Sequence, residues 1–311
     1  DAEITLEANP ESAQEWRVLR KLRRGGFNRL SLGAQSADDD ILRSIGRVHT
    51  WEQVGSAVAA ARRAKWSNLS LDLIYGLPGQ TMERWQDTVE RALALEPEHL
   101  SCYGLKVEEG TPLWARRDSA DLPDDDQQAD MYLWMVDRLA AAGYGQYEIS
   151  NFARPGRASR HNRKYWRMEE YAGFGPGAHS DFGEVRYAYA RDLGAYMEGV
   201  EHGTLRVSES ETLPARERDT EYIMLSLRTV EGISQYAFEH TYRQRFAPLD
   251  RTFQKYEALG CARRTEDGWA LTPKGFLLSN TIITDLWEAN GAEKVRREQA
   301  AARGDFRIVL P

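Results

Sequence analysis

A chain of 311 residues with 41% hydrophobic and 29% charged residues has the make-up of a soluble globular protein, large enough for one big domain and a smaller one. Its formal net charge of −7 argues against a general nucleic-acid binder, whose phosphate contacts need a basic surface. Only Cys102 and Cys261 are present, far apart in sequence, which excludes a disulfide framework and encodes no thiolate set for an iron–sulfur cluster or structural zinc. No run is apolar enough to cross a bilayer and none reads as a secretory leader, so a cytoplasmic location is expected.

Residues 4–7 form the first strand-like run, ended by Glu7 and the turn Ala8-Asn9-Pro10. A helix over 13–24 closes on Gly25-Gly26, and a strand over 29–32 opens an apolar run that ends on Gln35. Helices over 38–45 and 50–66 follow, the second starting with the capping box Thr50-Trp51-Glu52-Gln53. A strand over 69–75 carries Asp72 and runs into the turn Gly76-Leu77-Pro78-Gly79-Gln80. A helix over 81–95, a strand over 99–105, a helix from Asp124-Asp125-Asp126 to 142 and a strand over 147–152 complete the alternation. Strand followed by helix, repeated, predicts an α/β fold of parallel strands with crossover helices. Such barrels place their chemistry at the C-terminal ends of strands, so Glu7, Gln35 and Asp72 are expected to share a pocket. The plainer alternative is that each caps a helix or ends a buried run.

From residue 154 the chain turns glycine-, arginine- and aromatic-rich. Arg154, Arg157, Arg160, Arg163, Lys164 and Arg167 occur without an intervening acid, interleaved with His161, Tyr165 and Trp166. A planar, dianionic, hydrophobic ligand such as heme would use all three kinds of residue: arginines for propionates, aromatics for the ring face and a histidine for the iron. The alternatives are a hydrogen-bonded loop histidine, core aromatics and a solvated or RNA-facing arginine patch. His179, within Gly175-Pro176-Gly177-Ala178-His179-Ser180, is the rival axial ligand, whereas His49, His99, His202 and His240 read as structural or surface residues. Helical segments from about residue 209 lead to two short strands around Glu266-Asp267-Gly268 and a last helix, which predicts a winged-helix-like unit. Residues 275–287 of that helix carry no arginine or lysine, so no DNA partner is expected. The resulting division is 1–207 for the α/β domain with the basic loop region, 208–290 for the winged-helix-like domain and 291–311 for a flexible tail.

The runs Glu7-Ala8-Asn9-Pro10, Leu30-Ser31-Leu32-Gly33-Ala34-Gln35-Ser36, Gly46-Arg47-Val48-His49-Thr50 and Leu71-Asp72-Leu73-Ile74-Tyr75-Gly76-Leu77-Pro78-Gly79-Gln80 resemble radical S-adenosylmethionine proteins of the coproporphyrinogen oxidase-like group. Glu148-Ile149-Ser150-Asn151-Phe152, Arg160-His161-Asn162-Arg163-Lys164-Tyr165-Trp166 and Leu227-Arg228-Thr229-Val230-Glu231-Gly232-Ile233 resemble the heme-chaperone branch of that group. The resemblance implies a partial radical-SAM-type (β/α) barrel lacking its first strands, joined to a C-terminal winged-helix-like α+β domain. It further implies that Glu7, Gln35, Arg47 and Asp72 hold S-adenosylmethionine, with Ile74 as an apolar wall for adenine. Heme would be held by Arg160, His161, Asn162, Tyr165 and Trp166, with His161 on the iron, and passed to an acceptor apoprotein. The rival within the group is oxygen-independent coproporphyrinogen III oxidase, which oxidatively decarboxylates two propionates; His161 and the Pro-Gly-Ala-His run speak against it. Members of the group carry a Cys-x3-Cys-x2-Cys loop for a [4Fe–4S] cluster, and this sequence has no such ligands. The exposed first strand should then be sticky, and either further chain or a partner such as a second copy is expected beside it.

Overall fold

Strand and helix alternate because each helix carries its own start signal between apolar strands. In the computed structural model, which describes residues 2–117, 119 and 121–302, two units separate at Arg160 and His161. The first contains β1 (Thr5–Ala8), α1 (Trp16–Arg24), β2 (Arg29–Gln35), α2 (Asp39–Ser44), α3 (Trp51–Arg63), β3 (Leu69–Tyr75), α4 (Met82–Ala94), β4 (His99–Gly104), α5 (Asp125–Ala141), β5 (Gly145–Gln146) and β6 (Asn151–Ala153). The Thr50 and Asp124 side chains form the capping boxes of α3 and α5, and the Thr81 hydroxyl caps α4.

The sheet order is β1-β2-β3-β4-β6-β5, with the first four strands parallel. One expectation is corrected here: residues 147–152 do not make a fifth parallel strand. β6 runs antiparallel to β4, β5 runs antiparallel to β6, and the chain reverses between them, with the Tyr147 amide donating to the Asn151 carbonyl. No crossover helix separates β5 from β6, so this strand pair can only be antiparallel. β2 extends to Gln35, beyond the expected 29–32, through a bulge between Leu32 and Gln35. The sheet is open, and β1 lies at its edge with Ile4 41% exposed.

Leu30, Leu32, Leu69, Leu71, Leu73, Leu100 and Phe152 are fully buried on one face of the sheet. The buried tryptophans of the surrounding helical layer satisfy their indole N–H groups on backbone carbonyls: Trp66 donates to Leu19 and Trp85 to Met131, each at 3.1 Å. Large apolar burial of this kind holds the helices to the sheet, at about 1.5–3 kcal/mol per side chain.

The second unit contains α6 (Arg160–Trp166, which begins at the boundary), β7 (His179–Phe182), β8 (Val185–Tyr189), α7 (Leu193–His202), β9 (Val207–Thr212), α8 (Asp219–Ser226), β10 (Ile233–Ser234), α9 (Gln235–His240), α10 (Ala247–Ala258), β11 (Ala262–Thr265), β12 (Gly268–Leu271), α11 (Pro273–Leu277) and α12 (Ser279–Ala302). β7, β8 and β9 form an antiparallel sheet where the sequence reads as loops and a helical start near 209. Its turn, Gly183-Glu184, has both φ values at +62°, and β9 (Val-Ser-Glu-Ser-Glu-Thr) is exposed throughout, so no apolar alternation advertises it. The hairpin β11–β12 lies where expected, with β10 added to its edge.

α12 continues to Ala302, well into the segment read as a tail. The carboxylate of Asp219, 1% exposed, accepts from Asn290 Nδ2 and from Lys294 Nζ, one turn apart on α12, and anchors it. The rest of that segment, 303–311, lies outside the described residues. No helix among the described residues is long and apolar enough to cross a membrane.

Gly275 sits so close to the hairpin that an added Cβ would lie 1.9 Å from the Cys261 carbonyl oxygen and 3.1 Å from Leu271 Cβ. Gly275→Ala is expected to cost about 2 kcal/mol, read as faster amide exchange across β11 and β12. Unchanged exchange there would refute the close contact.

Candidate cofactor and ligand sites

A parallel strand buried on both faces should be apolar throughout. These strands instead alternate: Arg29-Leu30-Ser31-Leu32-Gly33, Leu69-Ser70-Leu71-Asp72-Leu73 and His99-Leu100-Ser101-Cys102-Tyr103. Leucines fill one face, and the other is polar. Register aligns Glu7 with Ser31, Ser31 with Ser70, Ser70 with His99, and Asp72 with Ser101, so these side chains lie in rows across the polar face.

Asp72 is the centre of this face. Ser31 Oγ donates to both of its oxygens at 3.1 Å, and Ser70 Oγ lies 3.3 Å from Oδ1. Burial pushes the Asp72 carboxyl above its ordinary range, hydrogen bonds from Ser101 and Ser31 and the Arg29 charge pull it back, and the nearby Glu7 charge raises it further. Below Asp72, His99 is fully buried; Ser70 Oγ lies 2.8 Å and Arg29 Nη2 3.3 Å from its Nδ1, while Tyr147 Oη lies 2.8 Å from its Nε2. Burial and the Arg29 charge hold the His99 ring well below the usual histidine range, so it is neutral. His99 thus lies inside the polar face and not at the surface.

The remaining expected residues gather at the C-terminal ends of the strands. Gln35 stands in the left-handed region at φ 63° just past the bulge. That kink folds its side chain back, so its Nε2 lies 2.8 Å from where a Cβ on Gly33 would be, and a larger residue there would displace the Gln35 amide. Asn9 Oδ1 accepts from Arg47 Nη1 at 3.2 Å and lies 3.8 Å from the same Gly33 position, which joins the Arg47 and Gln35 ends of the site. Ile74 and Arg47 line one cleft of about 560 Å³, walled by Leu77, Leu105 and Leu113. Arg47 and Ile74 thus share a cleft and Asn9 links Arg47 to the Gly33–Gln35 turn, whereas Asp72, with the Glu7 charge nearby, sits in the middle of β3 and outside the lining of that cleft.

Sequence reading missed Ser31, Ser70, Ser101, Arg29 and His99 as members of this site. The signal was the period-two polarity in strands whose parallel pairing calls for apolar residues on both faces.

The described residues do not fit an iron–sulfur cluster. Cys102 is 1% exposed, with burial pushing its thiol far up, Cys261 is equally buried, and among the described residues no group of three His, Cys, Asp or Glu side chains could hold a metal.

On α6, His161 and Tyr165 are one turn apart, and their rings meet edge-on at 5.0 Å. Tyr165 meets Tyr171 at 4.7 Å and is 39% exposed. His161 is exposed, whereas Asn162 and Trp166 are half-buried, so Tyr165 is not a core residue. The Arg160 amide donates to Glu3 Oε2 at 3.1 Å. The arginine run is divided among several tasks: Arg163 and Arg167 face Glu231 at 2.8 and 3.9 Å, and Arg154 lies over the Tyr144 ring. His179 is exposed at the start of β7.

Residues 1–92 match the model of the radical SAM superfamily, and 213–278 that of the HemN C-terminal domain. The heme chaperone HemW of Bacillus subtilis is 35% identical over 287 residues, 91% of this chain and 75% of that protein. That of Lactococcus lactis is 37% identical, with 90% and 74% covered. The solved structure of the Escherichia coli coproporphyrinogen III oxidase HemN, a radical SAM enzyme, matches with a TM-score of 0.76 at 26% identity, over 92% of this chain and 70% of that one. With two segments matching these families, and with relatives above 30% identity that it covers over more than two thirds of their length, the chain belongs to the HemW heme-chaperone family of the radical SAM superfamily.

Proposed function

We propose that this chain is a cytoplasmic heme carrier that binds heme on α6 and hands it to acceptor apoproteins, and that it binds S-adenosylmethionine at the polar face of its parallel sheet. The observation that carries the heme reading is the exposed pair His161 and Tyr165 on one face of α6. An imidazole there is an axial ligand for heme iron, the tyrosine ring beside it offers an apolar edge, and Arg160 is a cation on the same helix suited to a propionate. The name of the relatives, heme chaperone, points the same way.

For S-adenosylmethionine, Asp72 and Gln35 supply acceptors and a donor for ribose hydroxyls, Glu7 a carboxylate for the ammonium, Arg47 a guanidinium for the carboxylate and Ile74 an apolar wall for adenine. When bound, that cofactor supplies a sulfonium group and, given an electron source, radical chemistry. The residues described here bind and orient it.

A heme titration distinguishes the ligands. His161→Ala should abolish the axial-imidazole Soret signature and weaken heme binding, whereas His179→Ala should leave both near the parent, at equal folding by circular dichroism. A change confined to His179→Ala would move the ligand to β7, and no change in either would refute the heme reading.

Asp72→Asn separates function from stability. The buried carboxyl has a raised folded pKa, so its ionisation costs stability. That cost is absent below the unfolded value of 3.8, grows as pH rises through the folded pKa and is complete above it. Asp72→Asn should therefore be more stable than the parent at neutral pH, with the gap closing on acidification, and should bind S-adenosylmethionine about 10- to 100-fold more weakly. Urea unfolding across pH and calorimetric titration read the two effects; tighter binding with lower neutral-pH stability would overturn both.

A further inference from the structure

Helix α1 reads Trp-Arg-Val-Leu-Arg-Lys-Leu-Arg-Arg, with no acid, in a chain whose net charge is −7. Leu19 is buried and its carbonyl accepts from the Trp66 indole N–H, so the helix is tied down on that side. Arg17, Arg20, Lys21 and Arg24, spaced three, four and seven residues apart, then share one exposed side. Arg63, exposed at the end of α3, joins them with its guanidinium 4.2 Å from the centre of the Trp16 ring. Arg17 and Arg20 lie 5.3 and 5.9 Å from the same ring, so one indole gathers three like charges.

Two ordinary explanations fall short. Among the described residues none of these cations pairs with a carboxylate, whereas the adjacent Arg62 reaches Glu98 at 3.0 Å. The helix dipole favours cations in the last turn, which accounts for Lys21 and Arg24, but it disfavours Arg17 in the first. Like charges three and four residues apart further weaken the helix that carries them. An anion from outside the chain would offset both costs.

Shape selects the anion. The charge is spread along about 13 Å of helix and onto the end of α3, on one convex side, which cannot enclose a small ion. The Trp16 ring is engaged by guanidinium groups and so is a poor platform for the base stacking that single-stranded nucleic acid uses. A flat array of phosphates needs neither a cleft nor a free ring, only exposed cations side by side, and the negative excess over the rest of the chain turns this side toward it.

We infer that the exposed side of α1, together with Arg63, is a docking surface for the anionic headgroups of a lipid bilayer, on which the chain sits peripherally without inserting a segment. Neither ligand site takes part.

Sedimentation of the chain with vesicles of phosphatidylcholine, with and without phosphatidylglycerol, tests this at low salt. Binding is expected to the anionic vesicles alone and should fall steeply as added salt shortens the screening length. Each basic residue near such a surface contributes about fivefold to partitioning, so Arg20→Gln combined with Arg24→Gln should weaken binding about 25-fold. Arg251→Gln combined with Lys255→Gln, an equal change in net charge at two exposed positions of α10, should leave it within about twofold of the parent. Circular dichroism checks that all three proteins are equally folded. No binding to either vesicle, equal binding to both, or an equal loss in the two double variants would each overturn the docking surface. An RNA homopolymer and polyglutamate are the competing probes: tighter binding of either than of anionic vesicles, lost in Arg20→Gln with Arg24→Gln, would overturn the lipid assignment and give this side of α1 to nucleic acid or to an acidic protein.

Discussion

One carboxylate, Asp72, sits where a parallel sheet would ordinarily be dry, and the polar face is arranged around it. Serines on three neighbouring strands reach toward it, and a buried guanidinium lowers the cost of its charge. Burying an ionised group is expensive unless it is hydrogen-bonded and electrostatically compensated. Serine suits the task because it is small enough to share a crowded row and its hydroxyl rotates to whichever acceptor needs it. The stability lost on this face is recovered on the other, where leucines and tryptophans pack against the helices.

Strain appears at the same end of the sheet. Gln35 adopts a left-handed backbone that costs a non-glycine residue on the order of 1 kcal/mol, and it does so beside a glycine whose missing Cβ makes room for the folded-back amide. A bulge, a positive φ and a glycine together re-aim one side chain across the strand ends, an arrangement often found where backbone geometry is spent on binding. Asn9 then bridges to Arg47, so the first turn after β1 and the loop before α3 are held at one site.

The α6 segment follows a different logic. Its chemistry-bearing side chains, His161 and Tyr165, face outward, while Arg163 and Arg167 converge on Glu231. Such exposed ion pairs contribute little to stability, but here they orient the helix that carries the histidine. Under the proposed heme reading, a ligand set on one solvent-facing helix suits release better than an enclosed cavity. Composition alone made the arginines look like one ligand patch; the fold assigns them to separate partners, because Glu231 lies more than sixty residues downstream and only folding brings it near.

The local sequence determined the helices and the four parallel strands of the first unit, though not the antiparallel pair β5 and β6, since capping boxes at Thr50 and Asp124, the Thr81 cap and strands bounded by turn residues are short-range signals that act before any long-range contact forms. It also determined which face of the sheet Glu7 and Asp72 take, because side-chain direction in a strand follows from parity, whereas the place of Asp72 in the middle of β3 and not at its end came from the structure. The sheet β7-β8-β9 escaped it, as β9 carries no apolar alternation and is held by backbone pairing to a strand that sequence cannot name. The length of α12 escaped it as well, because what sustains that helix is the buried Asp219, some seventy residues away, and not its own pattern. The contact of Arg29 with His99 was decided only by tertiary structure: register across three parallel strands brings residues 70 positions apart into one hydrogen bond, and no local rule encodes a register.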